Sequence, residues 1–185
     1  YQSERRRASG DAPGAYDAVM ALVVELSPDE LVVQAIHRLV AGLPEELDAF
    51  EALGAHLEVL DGPEHAADLP AEMAEVGAIG LVTRQGNYLL RPRPALLEAA
   101  EADLDSSRLD VALASLPAHE IAYQHGTRAV IDAVADGTAQ LGFLLRPATV
   151  EQIADTAHSG RRMPPKTTFF HPKPRTGLVL RSVPD

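Results

Sequence analysis

Between residues 117 and 160 the chain alternates short apolar runs with capped helical stretches. No other feature constrains its fold as much. Residues 121–123 read as a short strand. Residues 127–135 read as a helix with Val130, Ile131 and Val134 on its inner side, and Asp136-Gly137 supplies a natural C-terminal stop. The apolar run 141–145 reads as a buried strand. Thr149-Val150-Glu151-Gln152 is a capping box that opens a helix to His158, closed by Gly160.

Upstream, the pattern changes from alternation to hairpins. Residues 18–26 form a long β-rich apolar run that reads as a buried strand. Ser27-Pro28-Asp29-Glu30 is turn chemistry, and 31–36 reads as its hairpin partner. A short helix is expected over 44–53, with Pro44 in its first turn and Gly54 at its end. A strand follows over 56–60. Asp61-Gly62-Pro63-Glu64 has the form of a helix start, for a helix running to Val76 and stopping at Gly77. Residues 79–83 and 88–91 flank Arg84-Gln85-Gly86-Asn87 as a hairpin. Helices are expected over 94–104 and 109–116, with a break at Asp105-Ser106. A last strand is expected over 177–180.

Hairpins early and strand–helix alternation late imply an α+β (mixed α/β) domain: a mixed, partly antiparallel sheet flanked by helices. The length of 185 residues suits one such domain. The first residue is Tyr1, and a charged run, Glu4-Arg5-Arg6-Arg7, follows. Residues 1–14 therefore read as a mobile N-terminal segment, the end of a helix begun upstream, and 15–185 as the domain.

Charge and composition narrow the function. A net charge of −11 argues against a general nucleic-acid or anionic-membrane surface. No apolar run approaches the roughly 18 residues of a membrane-spanning helix, and no secretory leader is evident, so a cytoplasmic protein is expected. The absence of cysteine removes disulfides, thiolate zinc sites and cysteine nucleophiles. Histidines stand at 37, 56, 65, 119, 125, 158 and 171, with no helical pair, so no metal site is expected within this chain. Neither a Gly-x-Ser-x-Gly elbow nor a Gly-x-Gly-x-x-Gly dinucleotide loop is present. The acidic clusters read as solvated helix faces.

One stretch departs from this acidic background. Residues 163–174 hold four of the fourteen prolines and two of the four phenylalanines. From Gly160 to Ser182 there are six basic residues and no acidic one, while the remainder carries ten basic against twenty-seven acidic. Pro164, Pro165, Pro172 and Pro174 fix the backbone at little ordering cost. On that frame Lys166 could neutralise a phosphate or carboxylate, with Thr167 and Thr168 donating hydrogen bonds. Lys173 and Arg175 could close the other side, Arg162 could act as a fork, and His171 could serve as acid, base or donor. His37 and Arg38, beside a strand, could stand opposite. A second candidate is the 123–127 junction around His125, where helix amides could meet an anion or turn chemistry alone could explain the residues.

The run Met163-Pro164-Pro165-Lys166-Thr167-Thr168-Phe169-Phe170, continuing to Gly177-Leu178, resembles the C-terminal signature of a prokaryotic family catalogued as domain of unknown function 1015. In that signature Ser usually stands where Thr167 stands here. Leu144-Leu145-x-Pro147 and the strand ending in His37-Arg38-Leu39 are similar to other parts of the same family. The resemblance implies a longer protein of which this is the C-terminal portion. It implies that an Asp-Gly-His-His-Arg-Tyr type loop, similar to one in the ParB-like and free-serine-kinase fold, lies upstream of residue 1. The expected function is therefore part of a phosphate- or nucleotide-handling enzyme, kinase-like phosphoryl transfer among the options, with 161–175 as an anion-binding wall. A small anion is the expected ligand and a nucleotide the candidate cofactor; a homo-oligomer is compatible with the sequence. Two alternatives stay open: a non-catalytic binding module for an acidic peptide or protein partner, and a purely structural loop.

Overall fold

A computed structural model of the chain describes residues 2–10, 12–14, 17–171, 173, 175, 177, 179 and 180. Its centre is a six-stranded sheet in the order β3-β5-β4-β7-β2-β6, formed by β2 (His37–Ala41), β3 (Leu57–Asp61), β4 (Ile79–Val82), β5 (Asn87–Pro92), β6 (Glu120–Gln124) and β7 (Leu141–Leu144). Every neighbouring pair in it is antiparallel. The α+β class with helices flanking a sheet is the observed one.

Alternation along each strand divides the core in two. Val40, Leu81, Leu90 and Phe143 point to one face, where they meet Leu53 of α2 (Ala49–Gly54), Leu96 of α4 (Pro94–Ala99) and Leu109 and Leu113 of α5 (Asp105–Leu113). Leu39, Val82, Leu89 and Leu144 point to the other, against Leu69 and Met73 of α3 (Leu69–Val76) and Val130 and Val134 of α6 (Thr127–Ala135). Strands β4 and β7, covered on both sides, are buried at every residue. That is why their sequences read as continuous apolar runs rather than alternating ones.

The expected helices at 127–135 and 150–158 form as α6 and α7 (Val150–His158), the latter with the Thr149–Gln152 capping box in place. The 79–83/88–91 hairpin forms as β4 and β5. Other boundaries move for identifiable reasons. Helix α2 begins at Ala49 because the Asp48 carboxylate accepts from the N–H groups of Phe50 and Glu51. Asp61 closes β3, and the Gly62 N–H donates to the Asn87 carbonyl, so the helical region begins only at a 3₁₀ turn over Ala66–Asp68. Helix α4 stops at Ala99, where Ala100 turns extended. Asp105-Ser106, expected to break a helix, forms the buried first turn of α5 instead.

The largest correction concerns the N-terminal apolar run. Residues 18–26 take up no strand, and Val23 is 89% exposed. Segment 31–36 does supply a strand, β1 (Val32–Ala35), but its partner is β8 (Thr168–His171), with Val32 opposite His171 and Ala35 opposite Thr168. The Pro-framed stretch thus contributes a four-residue strand. The strand expected over 177–180 falls partly outside the described residues, and Gly177, Val179 and Leu180 are not in one. Helix α1 (Gln2–Ala8) has no buried residue.

Candidate functional site

Arg38 is the least expected core residue. It sits in β2, only 1% exposed. Its guanidinium donates to the carbonyl of Ile36 at 2.7 Å, to that of Lys166 at 3.1 Å and to that of Pro165 at 3.4 Å. Tyr123, opposite it on β6, lies beneath the cation at 4.6 Å. Burial pulls the guanidinium below its ordinary range, opposed by the fields of Asp110 and Tyr123. The cation therefore grips the Pro165-Lys166 backbone from beneath. At the gripped point Lys166 has φ 57, the one positive φ among described non-glycine residues. A left-handed lysine costs roughly 1–2 kcal/mol, and the Arg38 hydrogen bonds offset it.

This turn aims its side chains two ways. The Lys166 side chain is exposed. Thr167 turns inward, donates to the Pro164 carbonyl at 2.8 Å and lies 2.9 Å from the Ser106 hydroxyl. Thr167 has one proton, and it is spent on Pro164, so Ser106 is the donor between them. Thr167 and Ser106 line a cavity of about 520 Å³ together with Asp103, Asp105, Arg108 and Arg146.

The cavity floor is charged and ordered. Asp105, 7% exposed, accepts from Arg146 Nε at 2.9 Å, from its backbone N–H at 3.0 Å and from Arg146 Nη2 at 2.5 Å. Arg108 Nη1 reaches the same carboxylate at 3.3 Å, and Arg108 Nη2 pairs with Asp103. Hydrogen bonding to Asp105 pushes Arg146 above its ordinary pKa. Ser107 Oγ and Arg108 Nε are buried without a hydrogen-bond partner among the described residues.

Of the nine residues expected from the sequence, Thr167 alone lines this cavity. Lys166 stands exposed beside it in sequence. Thr168 is half-buried in β8. Arg162, His171, Lys173 and Arg175 are exposed, and Lys173 lies 4.3 Å over the Phe169 ring, which also meets the His125 ring at a tilt of 54°. His37 is buried, and its Nδ1 accepts from the Leu145 N–H at 3.1 Å. Desolvation, then the fields of His125 and Arg38, lowers it to about 4. The structure thus brings Arg38, Lys166 and Thr167 together and sets His37 on other business. A separate groove of about 950 Å³ runs between 22–31 and Phe170, His171 and Lys173. Among described residues no group of three or more histidines and carboxylates is placed to hold a metal ion, and no helix is long and apolar enough to cross a membrane.

Sequence reasoning missed Asp105, Ser106, Arg108 and Arg146. Two signals were available. Asp105-Ser106-Ser107-Arg108 is a polar run directly before the core residue Leu109, and Arg146 follows an apolar strand at its exit.

No curated protein is significantly similar in sequence. Among solved structures, a free serine kinase in complex with AMP superposes with TM-score 0.54 at 23% identity, over 80% of this chain and 57% of that one. A variant of that kinase in complex with ADP gives TM-score 0.53 at 23% identity, over 81% and 58%. A conserved hypothetical protein from Pyrococcus furiosus gives 0.55 at 19%, over 89% and 62%. The likeness is one of fold, and the chain spans less than two thirds of each. The family model described as "Protein of unknown function (DUF1015)" matches residues 1–112, a range that does not include the Met163–Phe170 motif. With three fifths of its length inside that match, the chain belongs to the DUF1015 family.

Proposed function

We propose that the chain is part of a phosphate- or nucleotide-handling enzyme, of the phosphotransferase type, in which the 161–175 loop forms one wall of an anion pocket. The observation that carries this reading is the Arg38-held turn, which brings Thr167 into the lining of the cavity while Lys166, its neighbour in sequence, keeps its side chain exposed. A lysine one residue from the cavity wall carries a flexible cation, and a cation turned onto the cavity would stabilise a transferring phosphoryl group. The fold shared with a kinase that binds AMP and ADP supports the same class. A cavity of this size lies within the usual range for small-molecule sites, about 300–1,000 Å³. Isothermal titration with AMP, ADP and ATP tests it. Binding should weaken about tenfold in Lys166→Ala, the loss of one charge-assisted contact. A wild-type chain that binds none of them, or a Lys166→Ala chain that binds them equally well, would overturn the reading.

The binding-module alternative draws on the groove beside Phe170, which is 38% exposed, with Lys173 and His171 at its side. A glutamate-rich peptide that saturates the chain, while nucleotides leave it untouched, would select that alternative.

A further inference from the structure

Arg108 and Arg146 come from different parts of the chain and converge on one carboxylate. Asp105 uses both oxygens on them and is itself buried. Around Asp105 alone the two guanidiniums leave one positive charge over, and Asp103 balances it. The second carboxylate touching Arg108 is Asp103, whose side chain is 75% exposed. Its solvated carboxylate side keeps the pair weak, nearer the roughly 0.2–1 kcal/mol of a surface pair than the value of a buried one, although Arg108 itself is only 12% exposed. Arg108 Nε has no partner at all among described residues. Arg108 is thus a largely buried cation whose outer contact is with a solvated and replaceable anion. Thr167 and Ser106 place hydroxyls on the same cavity wall. Asp103 therefore occupies the position that an incoming anion would take.

We infer that Arg108 and Arg146, held together by Asp105, receive the phosphate of a phosphate monoester in this cavity, and that Asp103 is the internal competitor which the phosphate displaces. This rests on the phosphate-handling reading above and adds to it the floor of the pocket, which the loop alone lacks. Two guanidiniums suit a dianionic terminal phosphate better than a diester, which carries one charge. The arrangement makes an unusual demand: removing an acid at the pocket should tighten binding, while removing a base loosens it.

Titration calorimetry with AMP, adenosine and inorganic phosphate on the 185-residue chain tests this, with thermal melts to show that each variant is folded. AMP should bind and adenosine should not. Arg108→Gln, which leaves Asp105 paired with Arg146, should weaken AMP about tenfold. Asp103→Asn should tighten AMP by about threefold, the equivalent of one exposed ion pair. If AMP binds and Lys166→Ala weakens it while Arg108→Gln and Asp103→Asn match wild type, the floor assignment is wrong and the loop reading survives. If AMP and adenosine bind equally, the phosphate is not what the site recognises and the assignment also falls. If neither AMP nor inorganic phosphate binds, the floor assignment falls, and the loop reading falls with it only when ADP and ATP also leave the chain untouched.

Discussion

His37 and Arg38 are adjacent, yet strand alternation sends them to opposite sides of the sheet, and each solves a different local problem. Arg38 supplies donors to three carbonyls. Neutral His37 supplies one acceptor, its Nδ1, to the Leu145 N–H. Protonating that nitrogen destroys the hydrogen bond and places a charge in the core between Arg38 and His125. The folded pKa of about 4 lies below the ordinary 6.5, so between those values the unfolded chain binds the extra proton. Stability from this group is complete above pH 6.5, falls as pH drops toward 4, and changes no further below. Urea unfolding at pH 7 and pH 4.5 should show wild type losing about 2 kcal/mol more than His37→Asn, whose amide oxygen still accepts. Equal losses would place the pH sensitivity elsewhere. The sequence placed His37 and Arg38 just past the strand at 31–36, whereas in the structure they open a strand of their own, β2. Their roles were not legible, because a single strand does not say which loop returns to cover it 127 or 128 residues later.

At the scale of elements, what could be read depended on whether the signal was local. Helices α6 and α7 and the β4–β5 hairpin carry their own caps, periodicity and turn, and they form where the sequence places them. The strand expected over 18–26 had propensity alone, and a strand without a partner strand leaves its backbone groups to water. Its expected partner, β1, pairs with β8, a choice made by the three-dimensional fold. Close packing between elements leaves a similar mark on the glycines. A Cβ on Gly142 of β7 would lie 2.6 Å from Val130 Cγ1 and 3.0 Å from Val134 Cγ2, so α6 rests directly on the strand. Gly142→Ala should therefore cost about 2 kcal/mol. Gly54, at the end of α2 with open space around it, should gain about 0.5 kcal/mol in Gly54→Ala. Denaturant midpoints that moved equally in both variants would refute this account of α6 on β7.

Considered as a whole, the molecule keeps its charge and its candidate pocket in different places along the chain. The acidic bulk is spread over the body, while the basic stretch lies in the last part of the sequence. The loop stood out in sequence by its prolines, lysine and threonines, but the sequence did not say that Thr167 alone of its residues turns to the cavity. The floor was not legible, because 103–108, Arg146 and Thr167 meet only after the sheet has formed. The β1–β8 pairing has a further consequence, in time rather than space. All six strands of the main sheet lie before residue 145, whereas β8 and the turn gripped by Arg38 lie after 163. A growing chain can complete its sheet while Arg38 still lacks two of its three carbonyl partners. Those arrive only after the last strand of the main sheet, at the entropic cost of closing a loop of 127 or 128 residues. Scaffold and pocket thus mature at different moments of synthesis. A chain stopped at residue 160 should still melt cooperatively by circular dichroism, at a lower temperature, and should have lost AMP binding; a truncated chain that failed to fold would show that β8 belongs to the scaffold as well.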